Sequence, residues 1–161
     1  MKENINFLYC FDSNYNIQAF TSIISLLKNT SRKINIYVIH SEDNFNTQVP
    51  KEILNHKNLS SLTSYKFNDY NYDFPNIKNV HISVATYFRL FIKNYLPGNE
   101  KVFVFLDPDV ICIQDPVSEI QNTIKKLNNS EFTIAAKTEH TSGVKRINVN
   151  DKYFNAGVMV I

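Results

Sequence analysis

"KVFVFLDPDVIC", residues 101–112, sets a run of apolar residues against two aspartates that flank a proline. Val102, Phe103, Val104, Phe105 and Leu106 read as a strand buried in a sheet interior. Proline at 108 disfavours the helical region for the residue before it and pushes Asp107 towards extended backbone. In an extended chain, residues two apart point to the same side. Asp107 and Asp109 can therefore aim both carboxylates at one point just past the strand end. Adjacent carboxylates repel, a divalent cation relieves the repulsion, and hard oxygen ligands suit Mn²⁺ or Mg²⁺ rather than zinc. The plainer alternative is an acidic turn between two strands, with "VICI" (110–113) as the second.

Working outward, strand-like and helix-like periodicities alternate. "INFLYC" (5–10) reads as a buried strand, and the following helix sets Ile17, Phe20, Ile23, Ile24 and Leu27 on one face. "KINIYVIH" (33–40) is a second strand, with a short helix over 50–56 after it; "SLTSYKF" is a weaker strand. "SVATYFRLFIKNYLP" (83–97) has a helical pattern, with Ser83 placed to cap it and Pro97-Gly98 to stop it. A helix follows Asp115-Pro116, and "FTIAA" and "YFNAGVMVI" are strands. This alternation predicts an α/β domain with a largely parallel central sheet, in which ligands bind beyond the carboxyl ends of the strands.

Composition narrows the function classes. At 161 residues the chain is about one domain long, and 43% apolar with 20% charged residues reads as a soluble globular protein. A net charge of +2 from scattered lysines gives no nucleic-acid footprint. Three glycines leave no GxGxxG or GxxxxGK[ST] phosphate loop. Cys10 and Cys112 lie in apolar runs without CxxC spacing, as buried reduced thiols of a cytoplasmic protein would. No apolar run is long enough for a transmembrane segment.

Three further constellations carry candidate chemistry. In "YCFDSNYNI" the first turn offers Asp12, Asn14 for hydrogen bonds and Tyr15 for stacking on a base or sugar, against a plain reading as helix capping. "HISVATYFRL" holds His81 and Arg89; an arginine amid Phe88, Leu90 and Phe91 must reach solvent or meet an anion. "YFNAGVMVI" places Asn155, Ala156 and Gly157 at a strand start, where small residues admit a ligand close to the backbone.

Taken in order, "FDSNY", "HISVATYFRL", "FLDPDVI" and "YFNAGVMVI" resemble glycosyltransferase family 8, the group of bacterial lipopolysaccharide galactosyltransferases and glucosyltransferases and the glycogenins. The resemblance spans essentially the whole chain. It implies a Rossmann-like GT-A nucleotide-diphospho-sugar transferase fold and metal-dependent transfer of a hexose from a UDP-sugar, with retention, to a glycan or lipid-linked sugar acceptor. It further implies that Asp12, Asn14 and Tyr15 contact the nucleotide, and that Arg89 touches the donor. The same resemblance implies that Asp107 and Asp109 hold Mn²⁺ or Mg²⁺ on the diphosphate, that Asn155 holds the donor sugar with Ala156 beside it, and that His81 lies near sugar or acceptor. In full-length members a C-terminal "HxxGxxKPW"-like histidine completes the metal site and a "DQD"-type segment lies by the reactive carbon. Neither motif occurs here. The expectation is therefore a single nucleotide-sugar-binding domain over 1–161, C-terminally truncated, cytoplasmic or peripheral to the inner face of the membrane. Its apolar last strand invites homo-oligomer formation. Two rival readings stand beside it: a haloacid-dehalogenase-like phosphatase using the same aspartates as nucleophile and acid/base, and a non-catalytic nucleotide-sugar-binding fragment.

Overall fold

A computed structural model describes residues 4–68, 71–72, 74, 83–98, 102–138 and 154–161. Its centre is a six-stranded sheet built from β1 (Ile5–Phe11), β2 (Ile34–His40), β3 (Leu59–Lys66), β4 (Val104–Leu106), β5 (Ala135–Thr138) and β6 (Phe154–Val160), in the order β3-β2-β1-β4-β6-β5. Strands β1 to β4 pair parallel, and β6 runs antiparallel to both β4 and β5. Helix α1 (Asn16–Asn29) joins β1 to β2; short helices α2 (Phe45–Gln48) and α3 (Lys51–Leu54) join β2 to β3; α4 (Val117–Asn128) follows β4.

Alternation along the strands sorts two cores. Phe7, Tyr9, Phe11, Ile36, Val38, Val104 and Leu106 face the helical layer of α1, while Leu8, Cys10, Tyr37, Ile39, Phe103 and Phe105 face the opposite side. Central strands covered on both faces have no polar side, which is why their sequences are near-continuous apolar runs. Each such buried Phe or Leu contributes about 1.5–3 kcal/mol relative to its exposed state. The second face is covered by the segment Val84–Asn94, which puts Ala85 and Phe88 into the core and stacks Phe88 on Phe67 at 3.9 Å between ring centres.

Three expectations need correction. The segment over 84–94 is a 3-10 helix and not an α-helix; eleven residues is long for that form. On α1 the buried stripe is Ala19, Ser22, Ile23, Leu26 and Leu27, leaving Ile17 exposed on the far side. Residues 110–113 form no strand. Their backbone groups bond to side chains of α1: Ser22 Oγ donates to the Val110 carbonyl (2.5 Å), the Cys112 N–H donates to Ser25 Oγ (2.9 Å), and Asn29 Nδ2 donates to the Cys112 carbonyl (2.9 Å). Buried backbone groups must be paired, and here a polar edge of α1 supplies the partners that a neighbouring strand would have given. Cys112 is accordingly half-buried, whereas Cys10 is buried; both are free thiols.

Candidate donor-binding site

Strands β1 and β4 are hydrogen-bonded neighbours running the same way, with Phe7, Leu8 and Tyr9 opposite Val104, Phe105 and Leu106. Their carboxyl ends therefore open side by side, and the two turns that leave them meet in one cleft. The cleft has a volume of about 260 Å³ and is lined by Cys10, Phe11, Tyr15, Ser83, Ala85, Thr86, Arg89 and residues 107–109.

Asp107 continues the alternation of Phe103 and Phe105, so its side chain emerges on the face covered by the 3-10 helix. Its N–H donates to the Gly157 carbonyl of β6 (2.8 Å), and its own carbonyl accepts from Val110 N–H (3.2 Å), closing the Pro108 turn. Its carboxylate meets Arg89: Nη2 lies 3.1 Å from Oδ1. A threefold helix eclipses residues three apart, which lines Thr86 and Arg89 up towards the cleft while Ala85 and Phe88 go to the core. Arg89 Nε donates to the Thr86 carbonyl (3.1 Å) and Nη1 to the Ala156 carbonyl (3.2 Å), and the guanidinium lies 4.7 Å from the centre of the Phe105 ring. Four fixed contacts leave the guanidinium pre-positioned. Burial pushes the Asp107 carboxyl above its usual range; Arg89 pulls it back and neighbouring Asp109 pushes it up again. Asp109 itself is exposed at the cleft mouth.

Glycine at 157 answers to space. A Cβ there would sit 3.0 Å from Asn155 Oδ1 and 3.1 Å from Asp107 Oδ2, so the carboxylate occupies the room a side chain would need. Asn155 Oδ1 accepts from Gly157 N–H (2.8 Å). At the other turn, Asp12 accepts from Asn14 N–H (3.0 Å) and heads the 3-10 turn Ser13–Tyr15; Tyr15 turns into the cleft while Asn14 stays exposed on its rim side. Burial drives the Cys10 thiol far up from its ordinary value, which keeps it neutral.

Of the expected site residues, Tyr15, Arg89, Asp107 and Asp109 share the cleft. Asn155 and Ala156 do not line it; the Ala156 carbonyl bonds Arg89 and Asn155 Oδ1 bonds Gly157 N–H, while Asp12 and Asn14 form the adjoining turn and His81 lies outside the described residues. Sequence reading missed Thr86 and Phe105 as supports of Arg89; spacings of three from Arg89 and of two from Asp107 were the available signals. Among the described residues no group of three or more His, Cys, Asp or Glu side chains gathers to hold a metal. Two carboxylates at an open cleft nevertheless fit a hard cation that takes its remaining ligands from phosphate and water, and the carboxylate cradled where Gly157 has no Cβ fits that reading.

The glycosyltransferase family 8 model matches residues 6–161. The chain belongs to glycosyltransferase family 8. The Haemophilus influenzae "Putative glycosyltransferase" is 30% identical over 99% of this family 8 chain and 48% of its own length. Galactosyltransferase LgtC, solved in complex with donor and acceptor sugar analogues, superposes with a TM-score of 0.77 at 21% identity, over 98% of this chain and 57% of LgtC. Glycosyltransferase GlyE of Streptococcus pneumoniae TIGR4 gives a TM-score of 0.65 at 19% identity, over 99% and 34%. The fold is thus GT-A, and the chain spans about half the length of the curated relative it matches. Family membership sets aside the phosphatase alternative. No helix among the described residues is long and apolar enough to cross a membrane.

Proposed function

We propose that this cleft binds the diphosphate and sugar of a UDP-sugar, with Asp107 and Asp109 holding Mn²⁺ or Mg²⁺ against the diphosphate. The chain would then supply the donor-binding part of a retaining hexosyltransferase acting on a glycan or lipid-linked, lipopolysaccharide-type acceptor. The observation that carries the reading is the convergence of Tyr15, Arg89, Asp107 and Asp109, from three separate elements, on one cleft at the carboxyl ends of β1 and β4.

Charge supports it. Two carboxylates and one guanidinium sum to a formal charge of −1, so a divalent cation turns the site to +1 and makes it attractive to a diphosphate. When bound, the cation acts as a Lewis acid on the departing diphosphate. The chain's own groups do the rest. Arg89 is fixed beside the position where charge grows and needs no reorganisation to stabilise it. Tyr15 offers a ring to the uracil or ribose, Asn14 an amide to the nucleotide, and Asn155 and Ala156 border the hexose. His81 is assigned to the sugar or acceptor side. At about 260 Å³ the cleft is smaller than the roughly 300–1,000 Å³ usual for a whole small ligand. It suits the diphosphate and sugar, with the nucleoside lying along the open turn of residues 12–15.

The test is calorimetric titration of UDP-glucose and UDP-galactose, each with and without Mn²⁺. Binding that requires Mn²⁺ and disappears in the Asp107→Asn, Asp109→Asn double variant supports the reading. Metal-independent binding, or binding that survives the double substitution, contradicts it.

A further inference from the structure

His40 ends β2 and is fully buried, packed edge-on to Phe11 at 5.2 Å and against Phe45 at 4.7 Å between ring centres. Both ring nitrogens are engaged. The N–H of Glu42 donates to Nδ1 (3.1 Å), and Nε2 faces Asn16 Oδ1 (3.1 Å). Asn16 Nδ2 donates to Gln48 Oε1 (2.6 Å), and Gln48 Nε2 donates to Glu42 Oε2 (3.1 Å). The four residues close a ring that begins and ends on Glu42.

Each direction in that ring is forced. A carboxylate only accepts, so Gln48 must present its NH₂ to Glu42 and its carbonyl to Asn16. Asn16 then presents its carbonyl to the imidazole, which must donate from Nε2. A backbone N–H only donates, so Nδ1 must accept. Only the neutral Nε2–H tautomer satisfies both ends; a proton on Nδ1 would face the Glu42 N–H donor to donor.

The ring grips the first turn from both sides. Asn16 directly follows the turn Ser13–Tyr15 and its N–H donates to the Ser13 carbonyl. The Glu42 carboxylate also accepts from the Ser13 side chain, which with Gln48 holds its acid below the ordinary range. Tyr15, between Ser13 and Asn16, is the turn's residue in the cleft.

We propose that His40, as its neutral Nε2–H tautomer, is a positioning residue that fixes the donor-binding turn through the Glu42–Asn16–Gln48 ring, and that protonating it releases the turn. The inference rests on the donor reading above only for its consequence in binding. The charged groups around the ring are Glu42 and Asp12, which favour the imidazolium, and across on β3 Lys66, which is paired with Asp43 at 2.6 Å. Burial outweighs the acids and holds the imidazole below its usual value. The sign follows: the stabilisation is complete above the unfolded histidine value of about 6.5 and is lost as pH falls from there towards the folded value.

The test has two arms. By amide exchange on the full chain, the protection factors of Asn14, Tyr15 and Asn16 should fall about tenfold in His40→Phe, which keeps the aromatic packing, while those of β1 stay unchanged. Wild type should show the same loss only in acid, and the variant should be indifferent to pH. Imidazole ¹⁵N shifts should report Nε2–H at neutral pH. Unchanged turn protection in His40→Phe, or an Nδ1–H ring, overturns the proposal. In the second arm, UDP-glucose and UDP-galactose, whose diester phosphates hold no proton in this range, should bind His40→Phe at least fivefold more weakly than wild type. If wild type binds neither sugar nucleotide, the donor reading fails, and the exchange arm still decides the role of His40.

Discussion

The turns after β1 and β4 lie side by side yet are held by opposite means. The first is locked by neutral or satisfied polar groups: Asp12 caps Asn14, and the His40 ring secures Ser13 and Asn16. The second carries two acids, one of them half-buried with its carboxyl pushed above the ordinary range, restrained by one guanidinium and by the space at Gly157. A turn proposed to offer a ring and an amide to a nucleotide gains from being finished before the ligand arrives. A turn proposed to take up a cation gains from keeping a net negative charge. The contrast places shape on the β1 side of the cleft and charge on the β4 side.

The comparison breaks most visibly at the acids. With Mn²⁺ and UDP at about 100 times the dissociation constant, ligand binding adds about 2.7 kcal/mol, a rise in Tm of about 5–10 °C for a chain of this size. Asp107→Asn with Asp109→Asn should erase the rise.

Next comes Gly157→Ala. Its Cβ would meet Asn155 Oδ1 at 3.0 Å and Asp107 Oδ2 at 3.1 Å, and such overpacking costs about 1–3 kcal/mol. Denaturant unfolding should register that loss, and the Mn²⁺-dependent part of UDP binding should weaken with it, because the displaced carboxylate is the one assigned to the cation.

Replacing Arg89 with Met sharpens the charge side. It leaves Asp107 half-buried without its cation, a loss of about 1–2 kcal/mol for a partly exposed pair. The same change removes the group that pulls the Asp107 carboxyl down, so its value rises further. Protons then compete better with the metal, and the acid limb of Mn²⁺-dependent UDP binding should move to higher pH. An unmoved limb would mean that Arg89 does not set the charge of Asp107.

The smallest effect is structural. Ser25→Ala deprives the Cys112 N–H of its acceptor, worth about 1 kcal/mol and a fall in Tm of about 2–4 °C. The two turns should keep their ligand responses.

These contrasts follow what the sequence made legible. The βα alternation around β1, α1 and β2 is written in local periodicity, because parallel strands covered on both faces must be apolar throughout. The DPD break is equally local, since proline constrains its predecessor. Residues 110–113 misled because apolar composition fits either a strand or an extended segment; what decides is a set of partners on α1, Ser22, Ser25 and Asn29, more than 80 residues away. Gly157 read as a small residue near a ligand, yet its close neighbour is Asp107, just past the end of β4. His40 read as the end of a strand, since a closed ring of four side chains and a backbone N–H has no signature in spacing.

Paramagnetic broadening of amide signals by substoichiometric Mn²⁺, with UDP present, tests the central claim most directly. The account predicts losses centred on residues 107–109 and Gly157, extending across the cleft to Tyr15 and sparing β3. Broadening centred on other acids such as Glu119 or Glu52, or unchanged in the double aspartate variant, would contradict it.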